Sequence, residues 1–283
     1  MEKCWFHVFN YITYVLIFCY NICMADYILA RKTRNVASSA VHLLLNILFG
    51  LGSVMITVLT ASPWLGLLLV LVSKWRVFAV RPRFLWLNIK SNLLDFIVGV
   101  SVVMLTYYSG ATFSLVAVLL AIFYCAWLIV IKPMTSEAAN LAQSIIAVFL
   151  GISATAIASA EYDSILAVAL SFIVGYSASR HILSQSNDKD YGLTTMVCGL
   201  IFAEITWLCH SWMIIYTFGE TGIRIPQLAI ILTIFAFVFN SARQAMLRHE
   251  EDLKLKEIAA PIAFGLVLTL IIIIWFSNPI FNI

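Results

Sequence analysis

The chain carries little charge: Asp, Glu, Lys and Arg together make up 11% of its 283 residues. A soluble globular domain carries roughly 25%. Hydrophobic residues make up 63% of the chain, and its mean hydropathy is +0.99. So little polar surface cannot cover a water-soluble fold, and the composition therefore predicts an integral membrane protein.

Catalytic and cofactor-binding motifs are also missing. The sequence contains no Gly-x-Ser-x-Gly nucleophile elbow and no Gly-rich phosphate-binding loop. The segment HisGluGluAspLeu at 249–253 lacks the second histidine of a zinc-binding His-Glu-x-x-His helix. We therefore expect no enzyme activity, no cofactor and no metal site.

The cysteines and prolines exclude further classes. The six cysteines include no Cys-x-x-Cys pair, so their sulfur atoms are not arranged for a metal site or a redox centre, and we interpret them as small apolar side chains. The six prolines fall in predicted turns or first helical turns, where a missing amide hydrogen costs little. This placement weakens any transporter hypothesis based on helices broken by proline.

What the chain does have is a series of apolar segments separated by short polar turns. Most reach the roughly 20 residues needed to cross the hydrocarbon core of a bilayer. Residues 8–30 are interpreted as a retained span, because most of the flanking basic residues follow the apolar core and that core is longer than that of a signal peptide. The predicted spans are 8–30, 37–60, 64–80, 84–109, 111–131, 138–160, 163–179, 191–217, 225–246 and 258–277. The predicted fold is therefore all-α: a polytopic transmembrane helix bundle of about ten spans in a single domain, 1–283.

Positive charge is distributed unevenly between the two sides of this bundle. Of the seventeen Lys and Arg residues, Lys3 and Arg224 fall on one side and the other fifteen at or near the opposite side. The positive-inside rule makes the second side cytoplasmic and both termini extracytoplasmic. Because the cations lie in short loops and not on a folded domain, we expect no nucleic-acid partner.

In the segment from Lys74 to Asp95, cationic residues lie between aromatic residues, which are Trp75, Phe78, Phe84 and Trp86. Such a composition is typical of chain lying at the headgroup region, where cations face lipid phosphates and aromatic rings anchor the interface. The expected partners are anionic membrane lipids. The residues predicted to contact them are Lys74, Arg76, Arg81, Arg83 and Lys90.

Part of this segment also carries a family resemblance. Residues 71–89, LeuValSerLysTrpArgValPheAlaValArgProArgPheLeuTrpLeuAsnIle, resemble a stretch in uncharacterised multi-pass membrane proteins of small-genome bacteria. The resemblance covers under a tenth of the chain. It implies a bacterial cytoplasmic membrane and no particular activity.

Two carboxylates inside the spans are candidates for ion or proton coupling. Glu204 lies thirteen residues into its predicted span, about 20 Å deep at 1.5 Å per residue. A carboxylate there is expected to be protonated or paired, either as a coupling group or as a hydrogen-bonding group to a neighbouring helix. Asp95, with Lys90 on the same helix, is either a paired charge at the inner interface or a deeper acid facing the bundle.

Other polar and small residues predict helix packing. Across the turn between the first two spans, the depths of Asn21 and Asn46 match, as do those of Asp26 and His42, so interhelical hydrogen bonds are expected. In span 138–160, small residues recur every four positions and predict a helix in the bundle interior. That series is Gly151, Thr155 and Ser159.

Two functions from different classes remain open. The first is a transporter or lipid-handling permease with a carboxylate near the bilayer midplane, since ten spans divide into two five-helix halves of opposite orientation. The second is a non-catalytic membrane subunit or scaffold that binds anionic lipid or a partner protein.

Overall fold

The computed structural model describes residues 36–79, 81–110, 113–160, 164–184, 191–212, 214–218, 222–248 and 255–275. This part of the chain is all-α apart from one β-hairpin. Its helices are α1 (Val36–Thr60), α2 (Pro63–Ser73), α3 (Trp75–Phe78), α4 (Pro82–Tyr108), α5 (Leu115–Ala126), α6 (Glu137–Ser159), α7 (Ser164–Leu183), α8 (Tyr191–His210), α9 (Gln227–Arg248) and α10 (Leu255–Trp275). A π-helical turn, Trp127–Ile131, continues α5.

Six helices in the described part of the chain are long and apolar enough to cross a membrane. They are Ala40–Thr60, Arg83–Tyr108, Glu137–Ser159, Ser164–Leu183, Tyr191–His210 and Gln227–Gln244. The apolar helices Pro63–Ser73, Leu115–Ile131 and Ala259–Ile274 are shorter. The chain is therefore suited to a multi-pass membrane protein, whereas the count of about ten spans and the side of each terminus stay predictions.

Local sequence explains where several helices begin and end. Ser114 and Ser136 each cap a helix, because their hydroxyl oxygens accept hydrogen bonds from the backbone amides of Ala117 and Ala139, at 3.3 and 3.2 Å. Proline occupies the first turn of α2 and α4, where no amide hydrogen is needed. Gly110 follows α4 with a φ of 105°, a conformation that L side chains rarely adopt.

Two of the predicted spans end differently in the structure. The segment predicted as 191–217 is helical only to His210, and Ile215–Phe218 forms a strand, β1. β1 pairs antiparallel with β2, Ile223–Pro226, and contains β-branched and aromatic side chains of the kinds that are common in strands. Pro261 lies inside α10, which begins at Leu255, so its expected place in the first turn is wrong.

The segment predicted as a single span, 64–80, is a broken helix. α2 ends at Ser73 and α3 begins at Trp75, with Lys74 between them at φ −102° and ψ 15°. α2 has 11 residues, about 16 Å, which is too short to cross the hydrocarbon core. The break therefore lies at a charged residue within an otherwise apolar segment.

Helix α6 is the centre of the bundle and packs against α4, α7 and α9. The small residues Gly151, Thr155 and Ser159 are all buried in it. The predicted interior position of this helix is therefore confirmed, since small side chains let neighbouring backbones approach closely. The core around it includes Val98, Val148 and Phe202.

Helices α7 and α8 form the closest helix pair, and Gly175 makes this approach possible. A Cβ at Gly175 would lie 2.5 Å from Cγ of Phe202, whose side chain is fully buried. We expect Gly175→Ala to lower the free energy of unfolding by about 1–3 kcal/mol, the usual effect of overpacking. Thermal unfolding in detergent measures it.

Gly192 in α8 is the matched control for this prediction. No atom lies within 4 Å of a Cβ built there, so Gly192→Ala should unfold at the wild-type temperature or slightly above it. Equal unfolding temperatures for Gly175→Ala and Gly192→Ala would contradict the packing described for α7 and α8.

Candidate functional site

Asp95 is a buried carboxylate at the middle of α4. It lies thirteen residues from each end of that helix, about 20 Å from Tyr108, and the residue is 7% exposed. Asp95 therefore faces the bundle, whereas its depth in a membrane, which the sequence left open, stays a prediction. A buried carboxylate needs donors for both of its oxygens.

Three side chains supply those donors. Lys74 Nζ donates to Asp95 Oδ2, and Lys132 Nζ lies 2.6 Å from the same oxygen. The indole Nε1–H of Trp127 donates to Asp95 Oδ1 over 3.0 Å. Two ammonium groups share one carboxylate, so this Asp95 cluster (Asp95, Lys74, Lys132 and Trp127) carries a net positive charge.

The two lysines differ in their access to solvent. The Lys74 side chain is as buried as that of Asp95, whereas 42% of the Lys132 side chain is exposed. Lys132 is therefore the member of the cluster that another molecule can reach. The Lys74 ammonium contacts the buried Asp95 carboxylate, so it differs from the exposed cations of the predicted lipid-facing segment. Its position relative to the membrane interface stays a prediction.

Irregular backbone carries two members of the cluster. Lys74 occupies the break between α2 and α3, and Trp127 begins the π-helical turn that leads to Lys132. The Lys132 amide donates to the Trp127 carbonyl over 2.9 Å, the five-residue spacing of a π-helix. π-Turns and interrupted helices at membrane depth are tolerated where protein surrounds them and are frequent at functional sites.

Gln143 of α6 holds the end of the π-helical turn in place. Its Nε2 donates to the carbonyl oxygens of Ile131 and Met134 over 2.6 and 3.0 Å. Its Oε1 lies 2.8 Å from Nε2 of His181 in α7. Carbonyls that a helix end leaves without partners are satisfied here by one amide, which links three elements beside Lys132.

One turn beyond Asp95, at Gly99, α4 packs closely against α2 and α5. A Cβ at Gly99 would lie 2.8 Å from both the Tyr124 hydroxyl and Cγ1 of Val70. Tyr124 and Val70 are themselves almost fully buried. The helices therefore leave no room for a larger side chain at this position.

Several cations and aromatic side chains of the predicted lipid-facing segment are exposed, while their contacts with lipid stay a prediction. Arg81 and Arg83 are exposed, and the Arg83 guanidinium carbon lies 4.5 Å from the centre of the Phe84 ring. Lys90 Nζ lies 4.9 Å from the centre of the Trp86 ring and is not the partner of Asp95. The side chain of Arg76 lies outside the described residues. The exposed aromatics of the segment are Trp75, Phe78, Phe84 and Trp86.

Glu204 is exposed on the outer surface of α8 and does not meet Asp95 in a central cavity. The face of α8 that packs inward carries Phe202 and Thr206, two positions before and after it, which lie on the other side of the helix. Its neighbours on the outer face, Leu200 and Leu208, are exposed. A coupling role for Glu204 stays a prediction.

The predicted contacts between the first two spans involve residues on both sides of the described boundary. His42 is exposed and Asn46 half-buried on α1. Asn21 and Asp26 lie outside the described residues. Their hydrogen bonds to Asn46 and His42 therefore stay predictions.

Sequence reasoning missed Trp127 and Lys132, which contact Asp95, and Gln143 with its partner His181, which lie beside the π-helical turn. Lys132 directly follows the predicted span 111–131, and its closeness to an acid 37 positions earlier has no local signal. A clue was available in Lys74, since a lysine inside an apolar segment needs a partner at its own depth.

The described residues contain no group of three or more His, Cys, Asp or Glu side chains that could hold a metal ion. Cys125, Cys198 and Cys209 are free, and the first two are buried. The chemistry that this part of the chain offers near Asp95 is therefore that of ammonium, carboxylate and indole groups.

Protein-family models, curated proteins and solved structures give no match to this chain. Its function is therefore inferred from its own residues. They form a helical bundle suited to a multi-pass membrane protein, with a buried charged cluster that is exposed to one end through Lys132.

Proposed function

We propose that this protein is a permease for anionic lipids and that the Asp95 cluster engages the lipid headgroup. One observation carries the proposal: a buried carboxylate is shared by two lysines, one of them accessible, where two helices lose regular geometry. Ionisable side chains within a membrane-spanning helix are unfavourable, by about 2.5–3.5 kcal/mol on insertion scales, and mark functional sites by default.

Stability alone gives no reason for this cluster. Replacing a buried ion pair by well-packed apolar side chains is often neutral or stabilising, by about 1–4 kcal/mol. An apolar residue at Asp95 and another at Lys74 would therefore support the same bundle. Retaining charge at such depth favours a role in binding or movement of a charged molecule.

The charge balance favours an anion. Lys132 can exchange Asp95 for a phosphate while Asp95 keeps both Lys74 and the Trp127 indole as donors. Neither the carboxylate nor the phosphate is then left unpaired, so the exchange avoids the large penalty of an isolated buried charge. The break at Lys74 provides a point at which the two short helices can change angle as the headgroup enters.

The exposed basic residues nearby favour a lipid as the source of the phosphate. Cations at a membrane surface attract anionic lipids by about 1 kcal/mol per Lys or Arg. Arg81, just before α4, and Arg83, in its first turn, are exposed on the segment that leads to Asp95. They raise the local concentration of anionic headgroups at the end of the bundle where Lys132 is accessible.

Reconstitution into vesicles tests the proposal. Purified protein is placed in liposomes containing a trace of fluorescent phosphatidylglycerol or fluorescent phosphatidylcholine, and an external quencher reports the lipid that reaches the outer leaflet. We expect faster exchange of phosphatidylglycerol than of phosphatidylcholine. Exchange equal to that of protein-free vesicles for both lipids would overturn the proposal.

The protein is proposed to act in a bacterial cytoplasmic membrane, with both termini extracytoplasmic. The proposal rests on the resemblance of residues 71–89 and on the uneven distribution of Lys and Arg. A reporter fused after Ile283 should be active only outside the cytoplasm. The same reporter fused in the loop at 249–253 is the control and should report the cytoplasm; the reverse pattern would invert the topology.

The second candidate function, a membrane subunit that contacts a partner protein, is favoured by Glu204. Its carboxyl group lies on an exposed face of α8 beside Leu200 and Leu208. A charged group facing hydrocarbon is unfavourable, whereas a partner helix with a polar side chain would give it a hydrogen bond.

Substitutions at Glu204 test this candidate. Native mass spectrometry of protein extracted from its own membrane should show a stoichiometric partner that Glu204→Gln keeps and Glu204→Leu loses. Leu266→Ala, at an exposed site on α10, is the control and should keep the partner. Wild-type protein that carries no partner chain would exclude the subunit hypothesis.

A further inference from the structure

A groove opens at the end of the bundle opposite Lys132. It has a volume of about 170 Å³ and lies between α4, α5, α6 and β2. Its walls are mainly apolar, with Leu105, Phe149 and Ile157 among them. Its polar lining residues are Tyr108, Ser109, Ser153 and Arg224.

Ser153 is a buried hydroxyl that lacks a partner. The residue lines the groove, is 3% exposed, and its Oγ has no hydrogen-bond partner within the described ranges. It lies six residues before Ser159 at the end of α6, about 9 Å from that end. A buried polar atom without a partner is unfavourable, so a ligand atom that accepts a hydrogen bond there would be bound specifically.

Arg224 lies at the groove near the end of the bundle. It is exposed on β2 between Ile223 and Ile225, which also line the groove, and it faces Thr217 across the hairpin. Of the Lys and Arg residues that the structure describes, Arg224 alone lies at this end. A guanidinium at this position matches a phosphate, to which it can donate two parallel hydrogen bonds.

We propose that this groove binds one anionic glycerophospholipid from the leaflet at the Arg224 end. The phosphate contacts Arg224, an ester carbonyl accepts the hydrogen bond of Ser153, and the first part of one acyl chain packs against Phe149 and Ile157. The volume is smaller than the roughly 300 Å³ at which small-molecule sites begin, so most of both acyl chains stays in the bilayer.

The chemistry of the groove selects this occupant over two others. A free phosphate would use Arg224 but leave the apolar walls without a contact. A zwitterionic lipid offers the same ester and acyl chain, yet its own cation competes with Arg224 for the phosphate. The site goes beyond the permease proposal, because it concerns binding at the end of the bundle away from Asp95.

Native mass spectrometry from nanodiscs with equal amounts of phosphatidylglycerol and phosphatidylcholine tests the site. Wild-type protein should retain phosphatidylglycerol preferentially. Arg224→Gln should reduce the retained phosphatidylglycerol about tenfold, since it removes a charge-assisted contact, and Arg224→Lys should keep most of it. Ser153→Ala should weaken retention of both lipids, because both carry the ester.

The controls separate this site from other lipid contacts and from loss of fold. Arg180→Gln, at a guanidinium that lies 5.9 Å from the centre of the Tyr191 ring at the opposite end, should leave this retention unchanged. Each variant should unfold at a temperature close to that of the wild type. Inorganic phosphate added in excess should displace little phosphatidylglycerol; full displacement would identify a free-anion site instead.

Two results would overturn the inference: equal retention of the two lipids by the wild-type protein, or unchanged retention in both Arg224→Gln and Ser153→Ala. Either can occur while vesicles still show exchange of phosphatidylglycerol, in which case the permease proposal survives and the groove does not. If vesicles show no exchange of phosphatidylglycerol while native mass spectrometry still shows its retention through Arg224 and Ser153, the groove site survives and the permease proposal does not.

Discussion

Replacing Asp95 with alanine should lower the free energy of unfolding by about 3–5 kcal/mol. The substitution removes the carboxylate that neutralises the buried Lys74 ammonium and leaves the Trp127 indole N–H without its acceptor. A buried charge without its counter-ion and an unsatisfied donor then remain between the helices. Equilibrium unfolding in detergent, followed by tryptophan fluorescence, measures the change.

A double substitution shows whether the lost charge balance is the cause. Asp95→Leu combined with Lys74→Met removes both buried charges, and Lys132 can turn toward solvent because its side chain is already 42% exposed. We expect this variant to recover most of the stability that Asp95→Ala loses. Glu137→Ala, at an exposed acid, is the control and should cost about 1 kcal/mol or less. A double variant as unstable as Asp95→Ala would contradict the pairing.

Lys132→Gln should slow the exchange of phosphatidylglycerol about 10- to 100-fold. The substitution removes one charge-assisted hydrogen bond to the headgroup, which contributes about 1.5–3 kcal/mol. Stability should change by about 1 kcal/mol or less, because Asp95 keeps Lys74 and Trp127 as donors. The vesicle assay with fluorescent lipids measures the rate, and thermal unfolding verifies the fold.

Lys90→Gln is the matched control for Lys132→Gln. It removes the same charge from the same end of the bundle, but Lys90 lies over the Trp86 ring and does not contact Asp95. Its effect on exchange should be about twofold or less, that of one surface cation. Equal losses in the two variants would assign the effect to general surface charge and reject a headgroup site at the Asp95 cluster.

The class of protein and much of the helix layout could be predicted because both depend on local composition. The length of an apolar run shows directly whether it can form a membrane-spanning helix. The small residues Gly151, Thr155 and Ser159 predict close helix packing, because small side chains permit it. Exposure of Trp75, Phe84 and Trp86 was likewise expected from the alternation of aromatics and cations. Each of these properties follows from residues near one another in the chain.

Helix breaks and helix orientations were harder to predict, because these helices carry apolar residues on every face. Lys74 was expected at the interface. The helix break at Lys74 could not be predicted, because no proline or glycine lies there. α8 carries apolar side chains around its whole circumference, so the direction of Glu204 depends on which face α7 covers. The hairpin at β1 and β2 was also hidden, since IleTyrThrPhe suits an apolar helix end as well as a strand.

By itself, the sequence determined that this chain is apolar enough for a multi-pass membrane protein and that it is built of helices. Only the tertiary structure decided that Asp95 meets Lys74 and Lys132, which are 21 and 37 positions away. The physical reason is the difference in range. The free energy of transferring a helix to lipid is a sum over residues that are neighbours in the chain. The pairing of buried charges depends instead on where helices that are distant in the chain come together.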